Sequence, residues 1–101
     1  MSMNNYDVTR RNGKALETDV TLHPGEVLAD ELEARKILKK DFAALLNLQP
    51  SHLSDLLKGK RHVSAKLALK LEQHLKINAS YWLRLQTGYD LFMAKKELEK
   101  A

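Results

Sequence analysis

Residues 36–61 place the strongest constraint on the fold of this 101-residue chain, because they contain two short helical patterns with only a few residues between them. Each pattern has three apolar residues at the spacing i, i+3 and i+4, which puts them on one face of a helix. These residues are Phe42, Leu45 and Leu46 in the first pattern, and Leu53, Leu56 and Leu57 in the second. Two such helices must pack together across a tight turn and against other helices, since helices this short are not stable alone.

Residues that favour helix ends delimit this pair. We predict the first helix over residues 39–46, followed by Asn47 in the left-handed conformation that often ends a helix. The second helix begins near Pro50, because the first helical position tolerates a residue without an N–H group, and it ends at Gly59. This pattern is typical of a helix-turn-helix, in which the second helix enters the major groove of DNA.

Three further helices are predicted around the pair. The first of them runs from Pro24 to about Arg35, another follows the N-cap residue Ser64, and the last begins after the cap residue Asn78. Trp82 opens an aromatic-rich stripe on this last helix, and we expect its side chain to lie in the core. The sequence therefore predicts an all-α fold of five helices.

Composition divides the chain into three segments. Residues 1–21 are polar and lack a sustained period, which predicts a flexible N-terminal arm. Residues 22–94 form the predicted helical domain, and its last helix has more apolar surface than one small core requires. Residues 95–101 are highly charged and are predicted to form a C-terminal tail. A domain of this size has only a small core, which needs efficient packing or a partner.

Charge is distributed unevenly along the chain. The net charge is only +4, but residues 24–34 contain four acidic residues and no basic one. Residues 35–61 contain seven basic residues against two acidic ones. Basic charge concentrated on one structural unit is typical of proteins that contact phosphate groups of nucleic acids. A solvated helix surface explains the same charges equally well, so charge alone leaves both interpretations open.

Several other functions are disfavoured by composition. The chain has no cysteine and its four histidines lack metal-binding spacing, so we predict no metal and no cofactor. It has neither a Gly-rich phosphate loop nor clustered Asp, Glu and His at catalytic spacing, so we do not expect an enzyme. No apolar run approaches the roughly 18 residues of a membrane span, and the N-terminus lacks the apolar stretch of a signal peptide. We expect a cytoplasmic, nucleoid-associated bacterial protein.

Three motifs together carry a family resemblance. They are HPGEVL at residues 23–28, LLKGKR at residues 56–61 and YWLRLQTGYDL at residues 81–91. With them the chain resembles the HigA-type antitoxins of the lambda-repressor-like (XRE) helix-turn-helix class over roughly residues 22–92. The resemblance implies a five-helix DNA-binding domain that dimerises and represses its own operon. It also implies a protein partner, a HigB-type toxin that is a ribosome-dependent mRNA endonuclease.

The chain departs from the pattern of this class at three positions. Leu38 stands where Ser or Thr usually caps the first helix of the motif, and the loss of that cap costs about 1 kcal/mol. Asn47 replaces the usual glycine of the turn. Pro50 occupies a position that often holds a glutamine that contacts a base. Base contact is therefore expected to depend more on the neighbouring residues Ser51 and His52.

The resemblance also implies which residues contact DNA. In this class the N-terminal end of the second helix of the motif enters the major groove, while the preceding helix touches the backbone. The candidates for base contacts are Gln49, Ser51, His52 and Asp55. The candidates for phosphate contacts are Lys39, Lys40, Lys58, Lys60 and Arg61. For Asp55, an ion pair with Lys58 or a helix-cap role is the simpler interpretation.

Two protein interfaces are predicted. Operator dimers must space two recognition helices by about one DNA turn, roughly 34 Å, and we expect the fifth helix to form this two-fold interface. Its candidate residues are Leu83, Leu85, Tyr89, Leu91, Phe92 and Met93.

The toxin has two candidate contact surfaces, the N-terminal arm and the acidic face of the first helix. The acidic residues of this face are Glu26, Asp30, Glu31 and Glu33. For each of them, a position on a solvated helix face is the simpler interpretation. The alternative function is an XRE-type regulator that has no toxin.

Overall fold

The computed structural model of the protein describes residues 21–100, and this part of the chain consists of five α-helices and their connections. The helices are α1 (Pro24–Ala34), α2 (Lys39–Leu46), α3 (Pro50–Leu57), α4 (Ala65–Leu75) and α5 (Ala79–Lys100). The prediction of an all-α fold with five helices is therefore confirmed. Apart from Thr21, the arm predicted for residues 1–21 lies outside the described residues. No helix in the described range is long and apolar enough to cross a lipid bilayer.

Side chains cap the two helices that flank the motif. The Nδ1 atom of His23 accepts a hydrogen bond from the Gly25 N–H at the start of α1, at 2.8 Å. The hydroxyl of Ser64 accepts one from the Leu67 N–H at the start of α4, at 3.1 Å, which confirms the predicted cap. Such bonds satisfy donors that have no partner within the helix, and each typically stabilises a helix by about 1 kcal/mol.

The turn between α2 and α3 has the conformation that the sequence predicted. Asn47 adopts φ 60° and ψ 44°, in the left-handed region. Its N–H donates to the Ala44 carbonyl, and the Leu48 N–H donates to the Ala43 carbonyl at 2.9 Å. Asparagine tolerates this region better than most residues with a side chain. The two hydrogen bonds therefore end α2 in the way that is common for helices followed by glycine.

All five helices contribute to one core. Trp82 and Phe42 are its largest wholly buried side chains, which confirms the position predicted for the tryptophan. Thirteen buried apolar residues form the core cluster, and Val27 and Leu57 lie half-buried at its edge. Helix α3 packs against both α1 and α2, and α4 packs against α5. The motif thus packs against α1 through α3 and against α4 through α2.

Helix α5 extends beyond the core. Its buried residues, Trp82 and Gln86, both lie in its first half. Residues 95–100, which we predicted to be a charged tail, continue the helix to Lys100. They contain no helix breaker and consist of residues with high helix propensity. The Lys96 ammonium also lies 5.1 Å from the centre of the Phe92 ring, one turn earlier.

Candidate DNA-binding surface

The two helices of the motif begin without side-chain caps. Leu38 precedes α2 in an extended conformation, is 60% exposed and makes no capping hydrogen bond, so the predicted loss of this cap is confirmed. Gln49 precedes α3 in the same way, also without a side-chain cap. The first N–H groups of a helix lie at the positive end of its dipole. At α2 and α3 no side chain makes a capping hydrogen bond with these groups, although Asp41 lies in the first turn of α2.

The residues predicted to contact bases lie at and near the start of α3. Gln49 and Ser51 are exposed, and His52 in the first turn and Asp55 in the second turn are half-buried. Asp55 is partly engaged, because its Oδ2 atom lies 3.8 Å from Nε of Arg61. Its ion-pair partner is therefore Arg61, not the Lys58 that the sequence suggested.

All five residues predicted to contact phosphate are exposed. Lys39 and Lys40 form the first turn of α2, where two positive charges oppose the helix dipole. Lys58 is the C-cap residue of α3, and Lys60 and Arg61 lie in the connection to α4. The structure thus places these cations on two segments: the start of α2 and the α3–α4 loop (residues 58–64).

An open groove of about 560 Å³ lies beside the motif, and we call it the basic groove. It is lined by residues of the turn, α3, the α3–α4 loop and α4, of which four are basic and none is acidic. The lining residues are Leu48, His52, Lys60, Arg61, His62, Ser64, Lys66, Leu67 and Lys70. Its charge and its position next to the start of α3 suit the sugar-phosphate backbone of a duplex.

Two cations of the basic groove were missing from the sequence prediction. Lys66 is exposed in the first turn of α4 and repeats the signal that singled out Lys39 and Lys40, a cation placed against the helix dipole. Lys70 has a structural contact, since its Nζ atom donates to the Leu46 carbonyl at the end of α2, at 3.0 Å. Of the two, Lys66 is therefore the stronger addition to the phosphate candidates.

The α3–α4 loop is tied to α5 by Gln86, a residue that sequence reasoning also missed. The Gln86 side chain is 5% exposed, and its Oε1 atom accepts a hydrogen bond from the Val63 N–H at 2.7 Å. Its Nε2 atom donates to Asp90 Oδ1 at 2.9 Å and lies 2.9 Å from Nδ1 of His62. Sequence spacing could have identified Gln86, because a residue four positions after Trp82 lies on the same, buried face of the helix.

His23, which precedes α1, is a second polar residue in the interior. It is 3% exposed, and its ring packs edge-to-face on Tyr89 with ring centres 4.7 Å apart. Burial lowers the pKa of His23, and the neighbouring His62 lowers it further, while Glu26 acts in the opposite direction. The ring is therefore neutral near pH 7, as its role as a hydrogen-bond acceptor at the start of α1 requires.

The apolar residues predicted for the dimer interface divide into two groups. Leu83 and Leu85 pack against the core of their own chain, Tyr89 packs on His23, and Phe92 is half-buried. By contrast, Leu91 and Met93 are 66% and 46% exposed, and Leu98, which was not among the predicted residues, is 76% exposed. The uncovered apolar surface of α5 thus lies in its second half.

The acidic face of α1 lies largely open to solvent. Glu26, Asp30 and Glu33 are exposed. Glu31 is half-buried and accepts a hydrogen bond from the Arg35 Nε at 3.0 Å. The Arg35 side chain also donates to the Leu75 carbonyl at 3.0 Å, so this ion pair has a structural role between α1 and α4.

Two short helices across a tight turn, an exposed start of the second helix and an adjoining basic groove define a helix-turn-helix domain. The family model described as Helix-turn-helix matches residues 28–82, more than half of the chain. The chain belongs to this family, and its resemblance to the HigA-type antitoxins of the XRE class is confirmed.

Similar proteins cover most of the described residues. Virulence-associated protein I of Dichelobacter nodosus is 34% identical over 77 residues, which are 75% of this chain and 71% of that protein. The solved structure of a HigA-family addiction module antidote protein from Coxiella burnetii is 35% identical, has a TM-score of 0.72 and matches 78% of this chain and 87% of its own. Pseudomonas aeruginosa antitoxin HigA, solved with the higBA promoter, is 30% identical, has a TM-score of 0.75 and matches 80% and 89% of the two chains.

Proposed function

We propose that the protein is the antitoxin of a type II toxin-antitoxin module, which binds operator DNA as a homodimer, represses its own operon and neutralises a HigB-type toxin. The observation that supports DNA binding most directly is the basic groove beside the uncapped, exposed start of α3. The similar proteins support the same function, since one is an antidote protein of the HigA family and another was solved with a promoter.

In this proposal α3 lies in the major groove and its first turn contacts base edges. Gln49 and Ser51 are exposed there, and both have side chains that donate and accept hydrogen bonds. His52, in the same turn of the helix, lines the basic groove. Asp55 is the weakest of the four candidates, because its carboxylate already faces Arg61. Arg61 would have to release it before Asp55 could accept from a cytosine amino group.

The phosphate contacts are tested by removing two of the cations. Lys39→Ala combined with Lys40→Ala should weaken binding to operator and to random DNA alike, by about tenfold, because both contacts are independent of sequence. The slope of log K against log salt concentration is negative, and its magnitude should decrease by up to about two. Fluorescence anisotropy titrations at several salt concentrations measure both quantities.

The matched control removes two cations at the far end of α5. Lys96→Ala combined with Lys100→Ala lowers the net charge equally, and both side chains are exposed, away from the proposed DNA-binding surface and from the side of α5 that carries Leu91 and Leu98. This control should change the slope much less. An unchanged slope in the Lys39/Lys40 variant would remove these lysines from the phosphate contacts.

The base contacts predict a different pattern of loss. Ser51→Ala combined with His52→Ala should lower operator affinity by about tenfold to 100-fold and leave affinity for random DNA nearly unchanged, since base contacts carry the discrimination. Competition titrations with operator and scrambled duplexes measure the ratio. Ser80→Ala, at an exposed serine of α5, is the control that should keep the preference. Equal losses on both duplexes would show that Ser51 and His52 do not contact bases.

The second half of α5 is our candidate for the dimer interface, and α1 is a candidate for contact with the toxin. Leu91, Met93 and Leu98 leave apolar surface exposed that a second copy would cover. The exposed carboxylates on α1 suit a basic ribonuclease. The N-terminal arm stays the other candidate for toxin contact.

Co-expression tests the toxin partner directly. If a short reading frame beside this gene encodes a basic protein, that product should co-purify with this chain and lose its growth-arresting effect. A stand-alone regulator of the XRE class would bind its operator normally, and no neighbouring gene product would co-purify with it. The two outcomes separate the antitoxin from the alternative function while leaving the DNA-binding proposal to the titrations.

A further inference from the structure

Two buried polar side chains in the described part of the chain, His23 and Gln86, both lie against the α3–α4 loop. We propose that Gln86 is a positioning residue for DNA binding: together with His23, it holds the loop so that Lys60 and Arg61 face the phosphate backbone. This inference rests on the proposed function, because it assigns these two cations a binding role.

Gln86 anchors the loop at its end. Val63 is 3% exposed, so its N–H cannot exchange Gln86 for water without a local opening of the structure. An unpaired buried N–H is unfavourable, which favours the closed arrangement. The carboxylate of Asp90 accepts a hydrogen bond from the Gln86 Nε2 atom and thereby fixes the orientation of the side-chain amide. The anchored residue follows Lys60 and Arg61 by only two to three positions.

His23 supports the loop near its beginning. Gly59 adopts φ +80°, and a Cβ atom there would lie 3.5–3.8 Å from atoms of the His23 side chain, so the ring forms the floor beneath this residue. The ring therefore supports the loop at the residue that precedes Lys60.

This arrangement matters because the ion pair of Arg61 with Asp55, at 3.8 Å, holds that cation only loosely. Lys60 and Arg61 are exposed, and a mobile loop would add its own ordering entropy to the cost of every phosphate contact. Lys60 has one backbone tie to α3, through its N–H and the Asp55 carbonyl at 2.8 Å. The anchor on α5 places these cations in a fixed relation to the same helix that we propose as the dimer interface.

Gln86→Met tests the anchor without changing net charge or greatly changing side-chain size. Hydrogen exchange of the Val63 amide should accelerate by about tenfold or more, while amides in the middle of α4 keep their protection. Affinity for random DNA should fall by about fivefold to tenfold, as for the loss of one or two phosphate contacts. Gln73→Met, at an exposed glutamine of α4, is the matched control and should change neither quantity.

A charge-preserving exchange of hydrogen-bond groups distinguishes positioning from bulk stability. In Gln86→Glu with Asp90→Asn, a carboxylate oxygen still accepts from Val63, and the amide introduced by the second substitution donates to the other oxygen. Protection at Val63 and DNA affinity should both return close to the wild-type values. If Gln86→Met does not fold, comparison of Gln86→Glu alone with this double variant gives the same test, because only the single variant sets two carboxylates against each other.

A double-mutant cycle then links the anchor to the cations. In a background of Lys60→Ala and Arg61→Ala, Gln86→Met should cause no further loss of affinity, because nothing remains to be positioned. Equal losses in both backgrounds, unchanged protection at Val63, or failure of the exchange variant to recover would each overturn the proposal. Wild-type affinity in the Lys60/Arg61 variant would also overturn the positioning role of Gln86. It would remove these two cations from the proposed phosphate contacts. The base contacts of α3 would be unaffected by that result, because the Ser51/His52 variant tests them separately.

Discussion

Replacing Gly25 by alanine is expected to destabilise the domain by about 3 kcal/mol or more, a large share of the 5–15 kcal/mol typical of a domain. Gly25 is buried in the first turn of α1, where this helix crosses the end of α3. A Cβ atom there would overlap the Leu56 carbonyl oxygen and lie 2.9 Å from its carbon. The obstacle is backbone, which cannot turn aside as a flexible side chain can. Urea denaturation followed by circular dichroism measures the loss.

Gly88→Ala is the matched control for this prediction. Gly88 lies inside α5, and nothing stands within 4 Å of the position a Cβ atom would take. Alanine should therefore stabilise the monomer by about 0.5–1 kcal/mol, because it restricts the unfolded chain and favours the helix. A Gly25→Ala variant as stable as the wild type would mean that α1 and α3 can separate at no cost, contrary to their packing.

Replacing two leucines of α5 should abolish dimerisation and with it most operator affinity. Leu91 and Leu98 lie two turns apart on one side of the helix and are 66% and 76% exposed. Leu91→Gln combined with Leu98→Gln removes apolar surface without adding charge or breaking the helix. A monomer binds one half-site and loses the gain from linked binding, so operator affinity should fall by about 100-fold or more. Light scattering reports the mass, and titration reports the affinity.

Leu69→Gln supplies the control for the interface. Leu69 is 61% exposed and lies on α4, not on α5, so this variant should remain dimeric and bind the operator normally. If the α5 variant stayed dimeric at micromolar concentration, the two-fold interface would have to lie on another surface. The exposed leucines of α5 would then have to be covered by a different partner.

The parts of the fold that local rules control were predictable from the sequence. Asn47 ends α2 in the left-handed conformation and Ser64 caps α4, since both depend on atoms within a few residues along the chain. The uncapped start of α2 followed from Leu38 for the same reason. Trp82 was placed in the core by its position on an apolar stripe and by its size.

Contacts between distant segments were not predictable in this way. Gln86 and Val63 are 23 positions apart, and only the packing of α4 on α5 brings them together. The partner of Asp55 is Arg61, because the chain turns back at Gly59, whereas helical spacing pointed to Lys58. The basic groove likewise combines four segments, so Lys66 entered the candidate site only through the structure.

The central tryptophan also gives the protein an intrinsic optical probe. Trp82 is the single tryptophan of the chain and is wholly buried, and no residue between 21 and 100 accepts a hydrogen bond from its indole N–H. An indole in apolar surroundings emits at shorter wavelength than one in water, so unfolding should shift the emission to the red. Because Trp82 lies in the core and not on the basic groove, its emission distinguishes a variant that has lost its fold from one that has lost only its affinity for DNA.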